Sequence, residues 1–172
     1  MSVELRPFEI IAALAEEQRG RSDQQILDAL TALPPLADED DACWDDSSYW
    51  TRVAYPYVAL GDVARERRLR AAVRPLLDRA CYGDPGEIMR GLRHVLEAIM
   101  QPDWSALADI CIAAAASERR GTTLWAVEQL RVLDDERARP RLQTLAQSEH
   151  EPIRSAAEVA LRRLDSRRTR ED

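Results

Sequence analysis

Apolar positions along this chain recur at three- and four-residue intervals, the period of an amphipathic helix. Residues 138–164 show it best. Leu142, Leu145 and Ala146 mark one helix face, and Ile153, Ala156, Ala157, Ala160, Leu161 and Leu164 form the stripe of a second. The polar run 148–151 separates them, and Pro152 suits a first helical turn, where a missing N–H costs nothing. A single hairpin of this kind cannot bury its own apolar faces, so it needs neighbours like itself.

Weak copies lie upstream. A shift of 65 residues pairs Arg74-Pro75 with Arg139-Pro140, Leu77 with Leu142, Ile88 with Ile153 and Leu96 with Leu161. A shift of 31 sets Ala126 on Ala157 and Leu130 on Leu161. Three helix–turn–helix units therefore follow one another at spacings near 31 to 34 residues. The proline inside the first helix, Pro75 and Pro140, and the run Ile153-Arg154-Ser155-Ala156-Ala157 opening the last helix carry a family likeness. The pattern resembles the HEAT-repeat family, particularly its short-period relatives found in phycobilin lyases. The resemblance implies an all-α fold, an α-solenoid of stacked antiparallel helical hairpins with about eight to nine helices. It implies little about activity, which in such arrays lives on the surface.

Upstream of the repeats, residues 4–19 predict a helix with Phe8, Ile11, Ala12 and Ala15 on one face, ended by Gly20. Ser22 and Gln25 predict a capping box for a second helix, striped by Ile26, Leu27, Leu30 and Leu33 and stopped at Pro34-Pro35. Residues 48–60 predict a helix buried through Trp50, Val53, Ala54, Tyr57 and Val58, with a kink at Pro56. Gly61-Asp62 reads as a break and a new N-cap. A basic helix from Asp62 to about Cys81 is expected next, bent at Pro75. A turn at Gly83-Asp84-Pro85-Gly86 follows, then a helix from about Pro85 to Met100. Asp103 should cap a helix carrying Trp104, Leu107, Ile110 and Cys111. The division expected is a cap over 1–60, three hairpins over 61–165 and a charged, frayed tail over 166–172, all in one compact domain.

Charge sharpens this picture. The chain carries 31 acids and 24 basic residues, every one arginine. Residues 1–60 hold 12 acids and 4 arginines, and residues 61–172 hold 19 and 20, so the excess negative charge lies in the N-terminal third. Much of it is in one stretch, 36–50, where Asp38, Glu39, Asp40, Asp41, Asp45 and Asp46 sit beside Trp44, Tyr49 and Trp50. Two readings are open. The stretch is a solvated loop with its tryptophans packed back on the helices, or a docking surface that steers a basic partner by charge and anchors it by aromatic burial. A calcium loop is not expected, because the D-x-D-x-D-G order is missing.

Candidate chemistry is sparse. His94 and His150 lack companions at metal-ligand spacing, and no phosphate loop, nucleophile elbow or HExxH motif occurs. Cys43, Cys81 and Cys111 form no CxxC and read as reduced structural thiols of a cytoplasmic protein. The N-terminus does not read as a signal peptide, and no apolar run spans a bilayer. No enzyme activity, cofactor, metal, membrane partner or nucleic acid is expected; a basic protein partner is. Size, acidity and repeat pattern are similar to those of bacterial immunity proteins that neutralise a cationic toxin, with 36–50 as the partner-binding surface. An adaptor or accessory subunit is the alternative, binding through a concave groove of Arg90, Arg93, Trp125 and Arg154. Trp125 reads either as a core filler or as part of that groove. HEAT-like DNA glycosylases and chromophore lyases are lesser alternatives.

Overall fold

The computed structural model describes residues 6–84, 88, 89 and 91–171, with side chains as far as Arg167. Among the described residues the chain is all-helical, with no strand. It divides into two compact units, Met1–Ile99 and Met100–Asp172.

In the first unit, α1 (Pro7–Arg19) and α2 (Asp23–Ala32) follow their sequence signals closely. The Ser22 N–H donates to Gln25 Oε1 at 2.8 Å, and the Gln25 N–H donates to Ser22 Oγ at 3.3 Å. This is the expected capping box, satisfying two helix-start donors that would otherwise lack partners. Ile26 and Leu30 are fully buried, while Leu27 and Leu33 are half-buried. Phe8 departs from expectation. It is 58% exposed, with the Arg6 guanidinium 4.5 Å from its ring centroid; of the expected face Ala15 is buried, Ile11 half-buried and Ala12 exposed. A cation over the ring face makes that exposure tolerable.

A short α3 (Ser47–Tyr49) passes without a break through a π-helical turn, Trp50–Ala54, into α4 (Tyr55–Glu66). Pro56 explains the wide turn. It has no N–H, and its ring would press on the carbonyl of the preceding turn in a regular helix. The Tyr55 N–H bonds Trp50 O instead. Nearby carbonyls find side-chain donors: Thr51 Oγ1 reaches Ser48 O at 3.1 Å, and Arg52 Nε reaches the same oxygen at 3.2 Å.

The break expected at Gly61-Asp62 is absent, because α4 runs through both residues. Gly61 is buried, and a Cβ added there would meet Leu76 Cδ2 at 3.6 Å. Helix packing at that position outweighs the roughly 1 kcal/mol propensity cost of glycine. The chain turns instead after Arg67, where Arg68 adopts φ 52°. The basic helix expected from Asp62 to Cys81 is therefore divided. Its parts are the end of α4, a 3₁₀ turn Arg70–Ala72, and a short α5 (Val73–Asp78). The next helix, α6 (Leu92–Met100), begins later than Pro85. Residues 85–87 and Arg90 lie outside the described residues.

α1 packs along α4, and α2 packs against α4 and α5. Arginines fasten the ends of these helices. Arg67 donates to Arg19 O at 2.7 Å, Arg21 O at 2.8 Å and Asp23 Oδ1 at 2.9 Å, covering the α1–α2 junction. Arg79 donates to Leu33 O at 3.0 Å and also to Thr31 O, serving carbonyls that α2 leaves without intrahelical partners. Arg19 makes a two-pronged pair with Glu66, at 2.9 and 2.7 Å. Much of the positive charge in this stretch is thus engaged within the unit.

In the second unit, Asp103 caps α7 (Trp104–Ala114) by accepting the Ala106 N–H at 3.2 Å. α8 (Arg120–Leu133), α9 (Arg139–Leu145) and α10 (Glu151–Glu171) complete it. α7 packs on α8, α9 on α10, and α10 along α8. Of the expected stripe, Ile153, Ala156, Ala157, Ala160 and Leu164 are buried and Leu161 is half-buried. Trp104 is 43% exposed, while Leu107 and Cys111 on the same helix are buried. Residues 166–171 continue α10 as helix instead of fraying. Arg141 caps the end of α7 through Ala115 O, at 2.6 and 2.9 Å.

Candidate functional site

The acidic stretch 36–50 is built into the first unit. Its entry is fixed by Leu36, which is buried and whose N–H bonds Arg79 O at 2.9 Å. The Glu39 N–H bonds Tyr82 O at 2.9 Å. Two carboxylates return the contact: Asp38 Oδ1 accepts the Tyr82 N–H at 2.9 Å, and Glu39 Oε2 accepts the Asp84 N–H at 3.3 Å. Gly83 makes this approach possible. It holds φ 90°, and a Cβ there would collide with the Glu39 side chain.

The aromatic residues face one another. Trp44 stacks edge-on against Tyr49 at 4.8 Å and Trp50 at 5.1 Å between centroids, and Trp50 lies 5.6 Å from Tyr55. Their polar atoms are used internally. Trp44 Nε1 donates to Asp38 O, and Trp50 Nε1 donates to Trp44 O, both at 2.8 Å. The Tyr49 hydroxyl accepts the Ala37 N–H at 2.7 Å. Burial raises the Tyr49 hydroxyl pKa, partly opposed by that bond. All three rings are half-buried, so each shows only part of its surface to solvent.

Four of the six acids have structural employment. Besides Asp38 and Glu39, Asp41 Oδ1 accepts the Cys43 N–H at 2.9 Å and Asp46 Oδ1 accepts the Ser48 N–H at 2.8 Å, capping the turn Ala42–Asp45 and the start of α3. The Asp46 carboxyl is held below its ordinary pKa chiefly by the Ser48 hydroxyl, 2.6 Å away, and then by the Ser48 N–H. Desolvation, with Asp41 adding, raises the pKa of the Cys43 thiol. Asp40 and Asp45 are exposed and have no partner among the described residues. The distinction was invisible in sequence, because the N–H groups that engage Asp38 and Glu39 come from residues more than 40 positions away.

The residues expected to line a groove fare differently. Arg93, in the first unit, is ion-paired to Glu97 at 3.1 Å. In the second unit Trp125 is half-buried on α8, and Arg154 turns back to Ser148 O at 2.7 Å. An open groove of about 460 Å³ does run between α8 and α10, lined by Leu124, Glu128, Arg131, Glu151, Pro152, Ser155, Ala156 and Val159. Neither Trp125 nor Arg154 lines it. Spacing alone missed it, because its walls combine positions from two helices separated by about 20 residues of sequence.

Among the described residues no group of three or more His, Cys, Asp or Glu side chains is placed to hold a metal ion. No described helix is long and apolar enough to cross a membrane. Burial pushes the Cys81 and Cys111 thiols up to about 12, which removes nucleophilic character at neutral pH. Comparison with protein-family models, curated proteins and solved structures gives no match to this chain.

Proposed function

We propose that this chain is a non-catalytic binding protein that captures a basic protein partner, in the manner of an acidic immunity or inhibitor protein. The observation that carries the reading is the distribution of charge. The first unit holds 18 acids against 12 arginines, net −6, and the second holds 13 against 12, net −1. Many first-unit arginines are tied to helix ends or carboxylates, whereas Asp40 and Asp45 stand exposed and, among the described residues, unpaired. Such a surface accelerates encounter with a cation and adds little to residence time. The pairing of α7 with α8 and α9 with α10, with α8 against α10, supports a HEAT-like stack in the second unit.

The test begins with a low-salt pull-down from native lysate, and mass spectrometry of the eluate. Capture kinetics of the recovered protein are then compared for the wild type and D40N/D45N. The expected result is a small basic protein, released by salt, whose association rate falls about three- to ten-fold in the variant at low salt. An association rate unchanged in the variant and insensitive to salt overturns the reading. Asp38, Glu39, Asp41 and Asp46 are unsuitable for this test, since each also accepts a hydrogen bond that shapes the stretch. The α8–α10 groove supports an adaptor as the second reading. There, V159E would abolish capture that D40N/D45N leaves intact.

A further inference from the structure

We propose that residues 36–46 form a strap that opens as one piece while the helices stay folded, that Asp38 and Glu39 are its latch, and that opening uncovers Cys81. The strap lies between Pro34-Pro35, which end α2, and the start of α3. Its 37–41 portion contains one hydrogen-bonded turn, the Asp41 N–H on Asp38 O at 3.0 Å, and no helix. On one side it is tied to Tyr49 and Trp50, through the Ala37 N–H on the Tyr49 hydroxyl and Trp50 Nε1 on Trp44 O. On the other it is tied by a short double contact with 79–84. Two backbone bonds, Leu36 N–H to Arg79 O and Glu39 N–H to Tyr82 O, are joined by the Asp38 and Glu39 carboxylates on the Tyr82 and Asp84 N–H groups. Trp44 joins the same latch through Asp38 O.

Six carboxylates within nine positions repel one another, and of the four that accept backbone hydrogen bonds only Asp38 and Glu39 take them from a distant segment. Segments with few buried apolar side chains and exposed hydrogen bonds open well below the free energy of global unfolding. On the strap between Leu36 and Asp46 only Leu36 is fully buried. Cys81 is fully buried, directly precedes the Tyr82 that both latch contacts share, and has its sulfur 3.8 Å from Gly83 O. The Asp38 and Glu39 carboxylates are near enough to add to burial in raising its pKa. In this arrangement Asp38 and Glu39 are positioning residues. They hold Asp40 and Asp45 in place and do not themselves meet a partner.

The protein supplies its own probes. Cys111 is fully buried in the second unit and Cys43 is half-buried on the strap, so site-resolved maleimide labelling read by mass spectrometry compares all three thiols without any partner. The expected result is that D38A and E39A, which remove the accepting oxygens, each speed Cys81 labelling about ten-fold or more. Cys111 labelling and far-UV circular dichroism should stay at wild-type values. D40N, which carries the same charge change outside the latch, should not speed Cys81. Equal Cys81 rates in wild type and both latch variants overturn the proposal, as does a rise that comes only with loss of helicity. If a latch variant fails to fold, the wild type decides. A Cys81 rate flat across low urea supports strap opening, and one that climbs with the slope of global unfolding refutes it. Because no partner enters the assay, the strap and the capture reading can fail independently.

Discussion

Replacing Gly83 with alanine should destabilise the first unit by about 3 kcal/mol. Two costs combine. Gly83 sits at φ 90°, where an L-residue loses roughly 1–2 kcal/mol. The new methyl also strikes the Glu39 side chain, including its Cβ at 2.5 Å, so turning the carboxylate away gives no relief and the strand of chain must shift. That shift breaks the Glu39 N–H bond to Tyr82 O and the Asp84 N–H bond to Glu39 Oε2, each worth about 1 kcal/mol at this degree of exposure. The assay is urea unfolding followed by circular dichroism at 222 nm, with the loss read as a lower midpoint at constant slope. Gly91 is the matched control: a Cβ there meets nothing within 4 Å and its φ is not positive. Gly91→Ala should be neutral or stabilising by up to about 1 kcal/mol. A Gly83→Ala loss below about 1 kcal/mol, or equal effects at the two glycines, would refute the reasoning.

Two further outcomes follow from the same geometry. Tyr57→Phe removes a buried hydroxyl that donates to Leu76 O at 3.0 Å, leaving that carbonyl only the Arg79 N–H at 3.3 Å; urea titration should show a loss of about 1 kcal/mol. Asp46 has a folded pKa held below its ordinary 3.8 by Ser48, so its contribution is complete at neutral pH and disappears as pH falls through the folded value. Wild type should therefore exceed Asp46→Asn in stability at pH 7, and the two should converge below about pH 3.8 in parallel acid titrations; a gap that persists at lower pH would remove the electrostatic explanation.

Local signals in this chain were readable wherever a residue acts on its near neighbours. The Ser22–Gln25 box and the Asp103 cap each concern donors within three positions, and both formed as written. The stripe from Ile153 to Leu164 depends only on helical period, and its predicted face is the buried one. The same local logic placed a break at Gly61-Asp62, and there it failed. Glycine lowers helix propensity by an amount that packing against Leu76 exceeds, and Leu76 is 15 positions further along the chain.

What the sequence determined by itself is the helical class, most helix starts and the concentration of negative charge before residue 60. Tertiary structure alone decided how that charge is used. Asp38 and Asp40 look alike in sequence, yet one accepts the Tyr82 N–H while the other is left to solvent. The same holds for the arginines, where Arg67 and Arg79 bond carbonyls contributed by other helices. The physical reason is range. Helical period and capping act over a turn or so, but whether a charge is engaged depends on which distant backbone group folds against it.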